Sequence, residues 1–133
     1  MTLVILVCHA PLGQALHAVA CHAFGRYIAE VAVADISATE GKDDAMETIE
    51  RVWANEGKPS EVMLLTDIMG ATPSNAVSGW LKKHPEINAR ALAGVSVPIT
   101  LRALTYRELP AEALCKKLSE CVVASCAAVE RAS

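Results

Sequence analysis

Two apolar runs of the chain each lead into a residue that can do chemistry. The first run, residues 3–8, is followed by His9, and the second, residues 62–65, is followed by Thr66 and Asp67. A histidine can react through one ring nitrogen while a partner holds the other. If the two runs are neighbouring parallel strands, Asp67 can orient the imidazole and stabilise positive charge on it. The spacing therefore suggests an oriented histidine nucleophile.

The segment after Asp67 has the composition of an anion-binding turn. Gly70 and Ala71 are small enough for a ligand to approach the backbone, and a helix start offers unpaired N–H groups. Thr72 is predicted to be the N-cap of that helix and Pro73 its first residue. The Thr72 hydroxyl could also donate to a phosphoryl oxygen. A simple capped helix is the alternative interpretation of the same residues.

Apolar segments of strand length alternate with segments of helical periodicity along the whole chain. Strands are predicted at residues 3–8, 31–34, 62–65 and 89–95. Helices are predicted at residues 12–24, 45–53, 73–83, 98–104 and 114–129, the last being a long amphipathic helix at the carboxyl end. Strand–helix alternation with buried runs predicts an α/β fold with an open, mostly parallel sheet and helices on both faces.

A strand order of 2-1-3-4 would make the first and third strands adjacent and place His9 and Asp67 at the point where strand order reverses. Ligand sites in such sheets form outside the carboxyl ends of the strands. Asp35, Ser37 and Ser96 are predicted at or just beyond other carboxyl ends, and Ser37 and Ser96 are candidates for supporting positions. Gly13, near the start of the helix after His9, could supply a second set of N–H groups. A chain of 133 residues is expected to form one domain over residues 1–133.

Composition argues against several classes of protein. The net charge is −3 with no basic run, so a nucleic-acid surface is not expected. No apolar stretch is long enough to span a bilayer, and the amino terminus lacks a secretory pattern, which suggests a cytoplasmic protein. The five cysteines form no CxxC pair and are interpreted as small buried side chains rather than disulfides.

Other histidines and cysteines give weaker hypotheses. His17 and His22 lie five residues apart, roughly 140° around a helix, so a zinc site with Cys8, His9 and Cys21 is disfavoured and no metal is predicted. Side chains of consecutive strand residues point to opposite faces, which argues against a Cys8–His9 nucleophile. A small hydrolase or metal-binding protein that uses this pair is the alternative.

Three further side chains are given structural interpretations. His84, before Pro85, is predicted to be a solvated helix end. Trp53 and Trp80 occupy apolar helix faces and are predicted to lie in the core.

Three separated segments, taken in order, resemble the IIA domain of the mannose family of the bacterial phosphoenolpyruvate-dependent sugar phosphotransferase system. The segments are Val7-Cys8-His9-Ala10, Leu65-Thr66-Asp67-Ile68-Met69-Gly70-Ala71-Thr72-Pro73-Ser74-Asn75-Ala76 and Ala93-Gly94-Val95-Ser96-Val97-Pro98. The resemblance covers most of the chain.

The resemblance implies that His9 accepts a phosphoryl group, through Nε2, from the phosphocarrier protein HPr and passes it to a separate IIB component. It implies that Asp67 holds Nδ1–H and that Gly70, Ala71 and Thr72 bind phosphoryl oxygens. It also implies a homodimer in which an antiparallel carboxy-terminal strand is exchanged. No cofactor is implied, and contact with a membrane would be through the permease only.

The chain departs from the family pattern in ways that keep other roles open. Ala10 and Ala71 stand where the family has glycine, Ser96 stands where it has asparagine, and Thr72 stands where it has serine. The protein could instead be a freestanding regulator whose phosphorylation at His9 controls partner binding. It could also be a phosphotransfer subunit for a dihydroxyacetone kinase.

Overall fold

The computed structural model describes all residues from 1 to 133. Strands and helices alternate through most of the chain, as the periodicity predicts. The strands are β1 (Leu3–His9), β2 (Val31–Ile36), β3 (Glu61–Thr66) and β4 (Asn88–Ala93). The helices are α1 (Leu12–Phe24), α2 (Lys42–Asn55), α3 (Thr72–Lys83), α4 (Val97–Thr105) and α5 (Ala111–Cys121), followed by a 3-10 turn, Val123–Ser125.

The sheet has four parallel strands in the order β2-β1-β3-β4, which confirms the predicted topology. β1 lies between β2 and β3, and its register pairs Val7 with Thr66 of β3 and His9 with Ile36 of β2. The carboxyl ends of the two central strands therefore meet at one edge. His9 and the residues just after Thr66 lie at that edge.

Alternate side chains of β1 enter two separate cores, which is why its sequence is a continuous apolar run. Leu3, Ile5 and Val7 pack with residues of α2 and α3 on one face. On the other face, residues 4, 6 and 8 pack with α1, α4 and α5. These two cores hold β1 in register, so the position of His9 is fixed by buried residues.

The prediction that His84 is a solvated helix end is wrong. His84 lies where α2 packs on α3, between Trp53 and Trp80, and we call this contact the α2–α3 seam. The imidazole is not solvated: its side chain is 16% exposed and its ring centroid lies 4.8 Å from Trp53 and 4.5 Å from Trp80. Its Nε2 lies 2.7 Å from Glu50 Oε1 and its Nδ1 lies 2.9 Å from Glu86 Oε1. Both tryptophans are buried, which confirms their predicted place in the core.

The carboxyl end of the chain differs from the long helix that the periodicity predicts. α5 ends at Cys121, a short 3-10 turn follows, and residues 126–133 form no regular element. Val122, Val123 and Val129 are exposed. A helix continued through these residues would have no surface to pack on within one chain, and packing supplies most of the stability of a short helix. No helix of the chain is long and apolar enough to cross a membrane.

Candidate functional site

The structure brings His9 and Asp67 into direct contact. His9 is the last residue of β1, and Asp67 directly follows β3 on the neighbouring strand. The His9 ring nitrogen Nδ1 lies 2.7 Å from Asp67 Oδ2, and the backbone N–H of His9 donates to the same oxygen at 2.9 Å. The His9 side chain is 51% exposed and that of Asp67 is 13% exposed. The pair is thus an accessible imidazole on a largely buried carboxylate.

The contact sets which nitrogen of His9 can react. An ionised carboxylate only accepts hydrogen bonds, so the proton of a neutral His9 ring is assigned to Nδ1. Nε2 then carries the free lone pair, and the exposed imidazole is free to meet another molecule. The arrangement is that of an oriented nitrogen nucleophile.

The Asp67 carboxyl is held in its ionised form. Burial acts to raise its pKa, but hydrogen bonds from the backbone and ring of His9 and the charge of that ring outweigh burial, so the pKa of Asp67 lies below its ordinary value. Its second oxygen, Oδ1, accepts the N–H of Ile68 at 3.0 Å. A fixed negative charge therefore lies behind the His9 ring.

The turn after Asp67 leaves several amides unpaired. Gly70 has a φ of 80°, a left-handed value that suits glycine, and α3 starts at Thr72. The N–H groups of Gly70, Ala71 and Thr72 donate to no protein group. The amides of Ala71 and Thr72 belong to the helix start, at its positive dipole end, and the amide of Gly70 directly precedes it; together they can bind an anion.

The cap of α3 differs from the prediction by one residue. Ala71 is the N-cap and has no side chain that can cap, whereas Thr72 is the first helical residue. The Ser74 hydroxyl donates to the Ala71 carbonyl at 3.0 Å. Because no side chain closes this helix start, its amides stay available.

The prediction that Gly13 supplies free N–H groups near His9 is wrong, because its N–H is already hydrogen-bonded. Its N–H donates to Asp35 Oδ1 at 2.8 Å, and the N–H of Gln14 donates to Asp35 Oδ2 at 3.0 Å. The amides of Gly13 and Gln14 are therefore already paired, and Gly13 cannot offer a free N–H to a ligand. Asp35 itself lies inside β2, one residue from its end. Its role in capping α1 is not visible from the sequence.

Ser37 and Ser96 serve local turns. The Ser37 N–H donates to Glu40 Oε1, and its hydroxyl lies 3.2 Å from Thr39 Oγ1. Ser96 is the N-cap of α4, where its hydroxyl accepts the N–H of Ile99. Neither side chain forms a hydrogen bond with the His9–Asp67 pair.

Cys8 is poorly suited to be a nucleophile. Its side chain is fully buried in the core on the α1 side of the sheet. Burial, with smaller contributions from the negative charges of Asp67 and Asp35, raises the pKa of the Cys8 thiol to about 12. The thiol stays protonated at neutral pH, which argues against the Cys8–His9 hydrolase hypothesis.

A protein-family model matches most of the chain. Residues 3–120 match the EIIA-man family model, described as the PTS system fructose IIA component, where PTS denotes the phosphotransferase system. Comparison with curated protein sequences finds no match.

Solved structures share the fold at low sequence identity. A mannose/sorbose specific IIA subunit from Enterococcus faecalis is 17% identical, with a TM-score of 0.86 over 99% of this chain and 97% of that one. A phosphotransferase system component EIIA from Streptococcus agalactiae is 18% identical, with a TM-score of 0.86 over 96% and 97%. A sigma-54 interaction domain protein from Enterococcus faecalis is 14% identical, with a TM-score of 0.77 over 93% and 92%.

The family model spans nearly the whole α/β unit, from β1 to the end region of α5, and so includes the His9–Asp67 pair and the open start of α3. The chain therefore belongs to the EIIA-man family of IIA components of the phosphotransferase system.

Proposed function

We propose that this protein is a cytoplasmic phosphoryl carrier that accepts a phosphoryl group from HPr on Nε2 of His9 and passes it to a separate IIB component. The observation that carries the proposal is the 2.7 Å contact between His9 Nδ1 and Asp67 Oδ2, beside the unpaired amides of Gly70, Ala71 and Thr72. Family membership supplies the general role in phosphotransfer.

The proposed step exchanges one phosphorus–nitrogen bond for another. The bond from phosphorus to the donor's histidine breaks as the bond to His9 Nε2 forms. The donor ring carries a proton of its own and leaves as neutral imidazole. His9 keeps its Nδ1 proton and becomes positively charged, and Asp67 stabilises that charge. Donation to the acceptor is the same exchange in reverse.

The phosphoryl oxygens would be bound by backbone groups. The amides of residues 70–72 are preorganised at the start of α3, where the helix dipole favours negative charge. Thr72 can add its hydroxyl, as the resemblance implies. Positioning and electrostatic stabilisation are the main requirements of phosphoryl transfer.

Apolar side chains around the histidine support a protein as donor and acceptor. Ile68 is 58% exposed and Met69 is 77% exposed, and both directly follow Asp67. Leu12 is also partly exposed, three residues after His9. Exposed apolar side chains at a reactive residue are typical of a surface that another protein covers.

We expect His9 to be the residue that is labelled. Incubation with enzyme I, HPr and radiolabelled phosphoenolpyruvate should give a phosphate that is lost in acid and stable in base. His9→Ala should abolish the label because it removes the attacking nitrogen. His22→Ala, which changes an exposed histidine of α1, is the matched control and should be labelled normally. Persistent labelling of His9→Ala would overturn the assignment.

The acceptor can be identified from the labelled protein. Transfer of the label to a IIB component supports the proposal as stated. Transfer to a dihydroxyacetone kinase, or a change of binding partners without any transfer, would replace it with one of the other two roles.

We further propose that the protein is a homodimer. β4 is an edge strand whose six residues are all partly exposed, so one side of its backbone is open to pairing. Val122, Val123 and Val129 of the carboxyl segment are exposed as well. A second copy that covers both features would bury apolar surface that a single chain leaves in water.

A further inference from the structure

His84 has a carboxylate at each nitrogen of its ring. Nε2 lies 2.7 Å from Glu50 Oε1, and Nδ1 lies 2.9 Å from Glu86 Oε1. An ionised carboxylate only accepts hydrogen bonds, so both contacts are hydrogen bonds only when both ring nitrogens carry protons. A ring with two protons is the imidazolium cation. The geometry is therefore that of a charged histidine that bridges Glu50, on α2, and Glu86, in the turn between α3 and β4.

Packing in the α2–α3 seam holds the ring in this position. Its centroid lies 4.8 Å from that of Trp53 and 4.5 Å from that of Trp80, and little of the side chain is exposed. Glu50 Oε1 also accepts the Nε1–H of Trp80 at 3.0 Å, so this carboxylate is tied to a buried indole. A ring held in this way cannot turn into water when it loses a proton. One of its nitrogens would then set a lone pair against a carboxylate oxygen.

The two carboxylates differ in how readily the ring can release them. The Glu86 side chain is 59% exposed and lies in a turn, whereas that of Glu50 is 41% exposed, lies on α2 and also accepts the Trp80 indole N–H. The hydrogen bond from His84 lowers the pKa of Glu86 below its ordinary value, so this carboxyl is ionised. Water can solvate it once the hydrogen bond is lost. We therefore expect a neutral ring to keep its proton on Nε2, facing Glu50.

Other charged side chains near the ring come from the elements that pack on it. They are Asp43 and Glu47 of α2 and Lys83 of α3, which line one surface pocket with His84, and Lys58, whose ammonium lies 5.8 Å from the Trp53 ring centroid. With Glu50 and Glu86, four carboxylates and two lysines surround the ring. This excess of negative charge favours the cationic form of the ring.

We propose that His84 is a proton-dependent bridge that joins the turn between α3 and β4 to α2. While the ring is charged, it holds Glu50 and Glu86 together. Loss of the Nδ1 proton to water releases Glu86, and with it the turn, while Nε2 stays on Glu50. The bridge stabilises the fold while the ring is protonated, and this contribution is lost as pH rises through the range in which histidine titrates. The inference concerns the seam alone and does not rest on the proposed phosphoryl transfer.

Ring-nitrogen resonances test the bridge directly on the full chain. Protein with isotopically labelled histidine is followed by nitrogen NMR from about pH 5 to about pH 9, which spans the range in which histidine titrates. We expect both nitrogens of His84 to be protonated at the acidic end and only Nε2 at the basic end. His84→Gln identifies the signals by their loss. The proposal is overturned if the ring keeps one protonation state throughout, or if Nε2 loses its proton instead of Nδ1.

A change at Glu86 tests whether the turn belongs to the bridge. Glu86→Gln keeps the size of an exposed side chain and removes its charge, so the midpoint of the His84 titration should fall by about 0.5 pH unit or more. Glu120→Gln makes the same charge change at an exposed position of α5 and should leave the midpoint in place. If every histidine of Glu86→Gln titrates as in the wild type, the proposal fails, even where His84→Gln does not fold.

Denaturant unfolding separates a proton-dependent bridge from packing alone. The midpoint of unfolding of the wild type should exceed that of His84→Gln by more at about pH 5.5 than at about pH 8.5, because only the charged ring makes both hydrogen bonds. An equal difference at the two pH values would leave the ring with a packing role and overturn the proposal.

Discussion

At the scale of single residues, the site depends on one carboxylate that has three donors. Asp67 Oδ2 accepts both the backbone N–H and the ring Nδ1 of His9, and Asp67 Oδ1 accepts the N–H of Ile68. The two contacts to His9 fix the ring relative to its own backbone. Orientation is thus set without any further side chain on the ring.

Asp67→Asn should slow phosphorylation of His9 by about 10²-fold. Every group that faces the carboxylate is a donor, so the amide nitrogen of asparagine meets a donor in either rotamer. The substitution also removes the charge that stabilises the phosphorylated ring. Initial rates of label transfer from HPr measure the effect, with Asp44→Asn on α2 as a control that should transfer normally. An unchanged rate in Asp67→Asn would show that the ring is oriented by something else.

The same carboxyl gives a pH dependence. Because the folded-state pKa of Asp67 is lowered, its stabilising contribution is present above the ordinary value of 3.8 and is lost as pH falls through the folded value. The melting temperature of the wild type should therefore exceed that of Asp67→Asn at about pH 5. The difference should shrink below pH 3.8, and a difference that grows there would contradict the direction of the shift.

Residues that end a buried run could be found from the sequence, whereas residues with distant partners could not. His9 and Asp67 stand out because an apolar strand stops at each. Asp35 caps amides that are 22 residues away, and His84 contacts Glu50 across 34 residues. Such pairs depend on how helices pack on the sheet, which local patterns do not determine.

At the scale of elements, α3 joins the site to the α2–α3 seam. The open amides lie at its start, in residues 70–72, and the residue after its last turn is His84. The length of the helix, 12 residues, separates these ends by about 18 Å. The seam that His84 forms with Trp53 and Trp80 thus supports α3 at the end far from the chemistry.

His84→Ala should lower the free energy of unfolding by about 1–3 kcal/mol. The change leaves a gap between two buried indoles and removes a hydrogen-bond partner of Glu50. Denaturant unfolding measures the loss, and His22→Ala, on an exposed face, should change stability by less than about 0.5 kcal/mol. Labelling of folded His84→Ala at His9 should be unchanged. A stability equal to that of the wild type would mean that the ring is dispensable in the seam.

The boundaries of an element could be predicted where buried residues determine them. The predicted boundaries were wrong where other factors determine them. The start of α3 was misplaced by one residue because Thr72 fits the composition of a cap, whereas backbone geometry puts Ala71 there. The predicted helix over residues 114–129 is wrong beyond Cys121, since the spacing of valines gave a helical pattern without a surface to bury it. Periodicity describes one face of an element but not what covers it.

At the scale of the whole molecule, the chain leaves an edge strand and a carboxyl segment exposed. We expect light scattering to give twice the mass of one chain for the full-length protein. Removal of residues 122–133 should give a monomer, because it deletes the exposed valines proposed to lie against the second copy.

Point substitutions separate association from folding. Val129→Asp should weaken the dimer without changing the stability of the single chain, since Val129 is 98% exposed there. Ala132→Asp adds the same charge three residues further on and serves as the control. A full-length protein that is monomeric at every concentration tested would refute the dimer.

The α2–α3 seam also has a spectroscopic consequence. The chain has two tryptophans, and both are in this seam, with ring centroids 5.4 Å apart and nearly perpendicular. Tryptophan fluorescence, excited selectively over the two tyrosines, therefore comes from one place, at the end of α3 away from His9. A label-free signal that stays constant while His9 is phosphorylated would mean that the event remains local. A change in that signal would show directly that α3 transmits the event along its length.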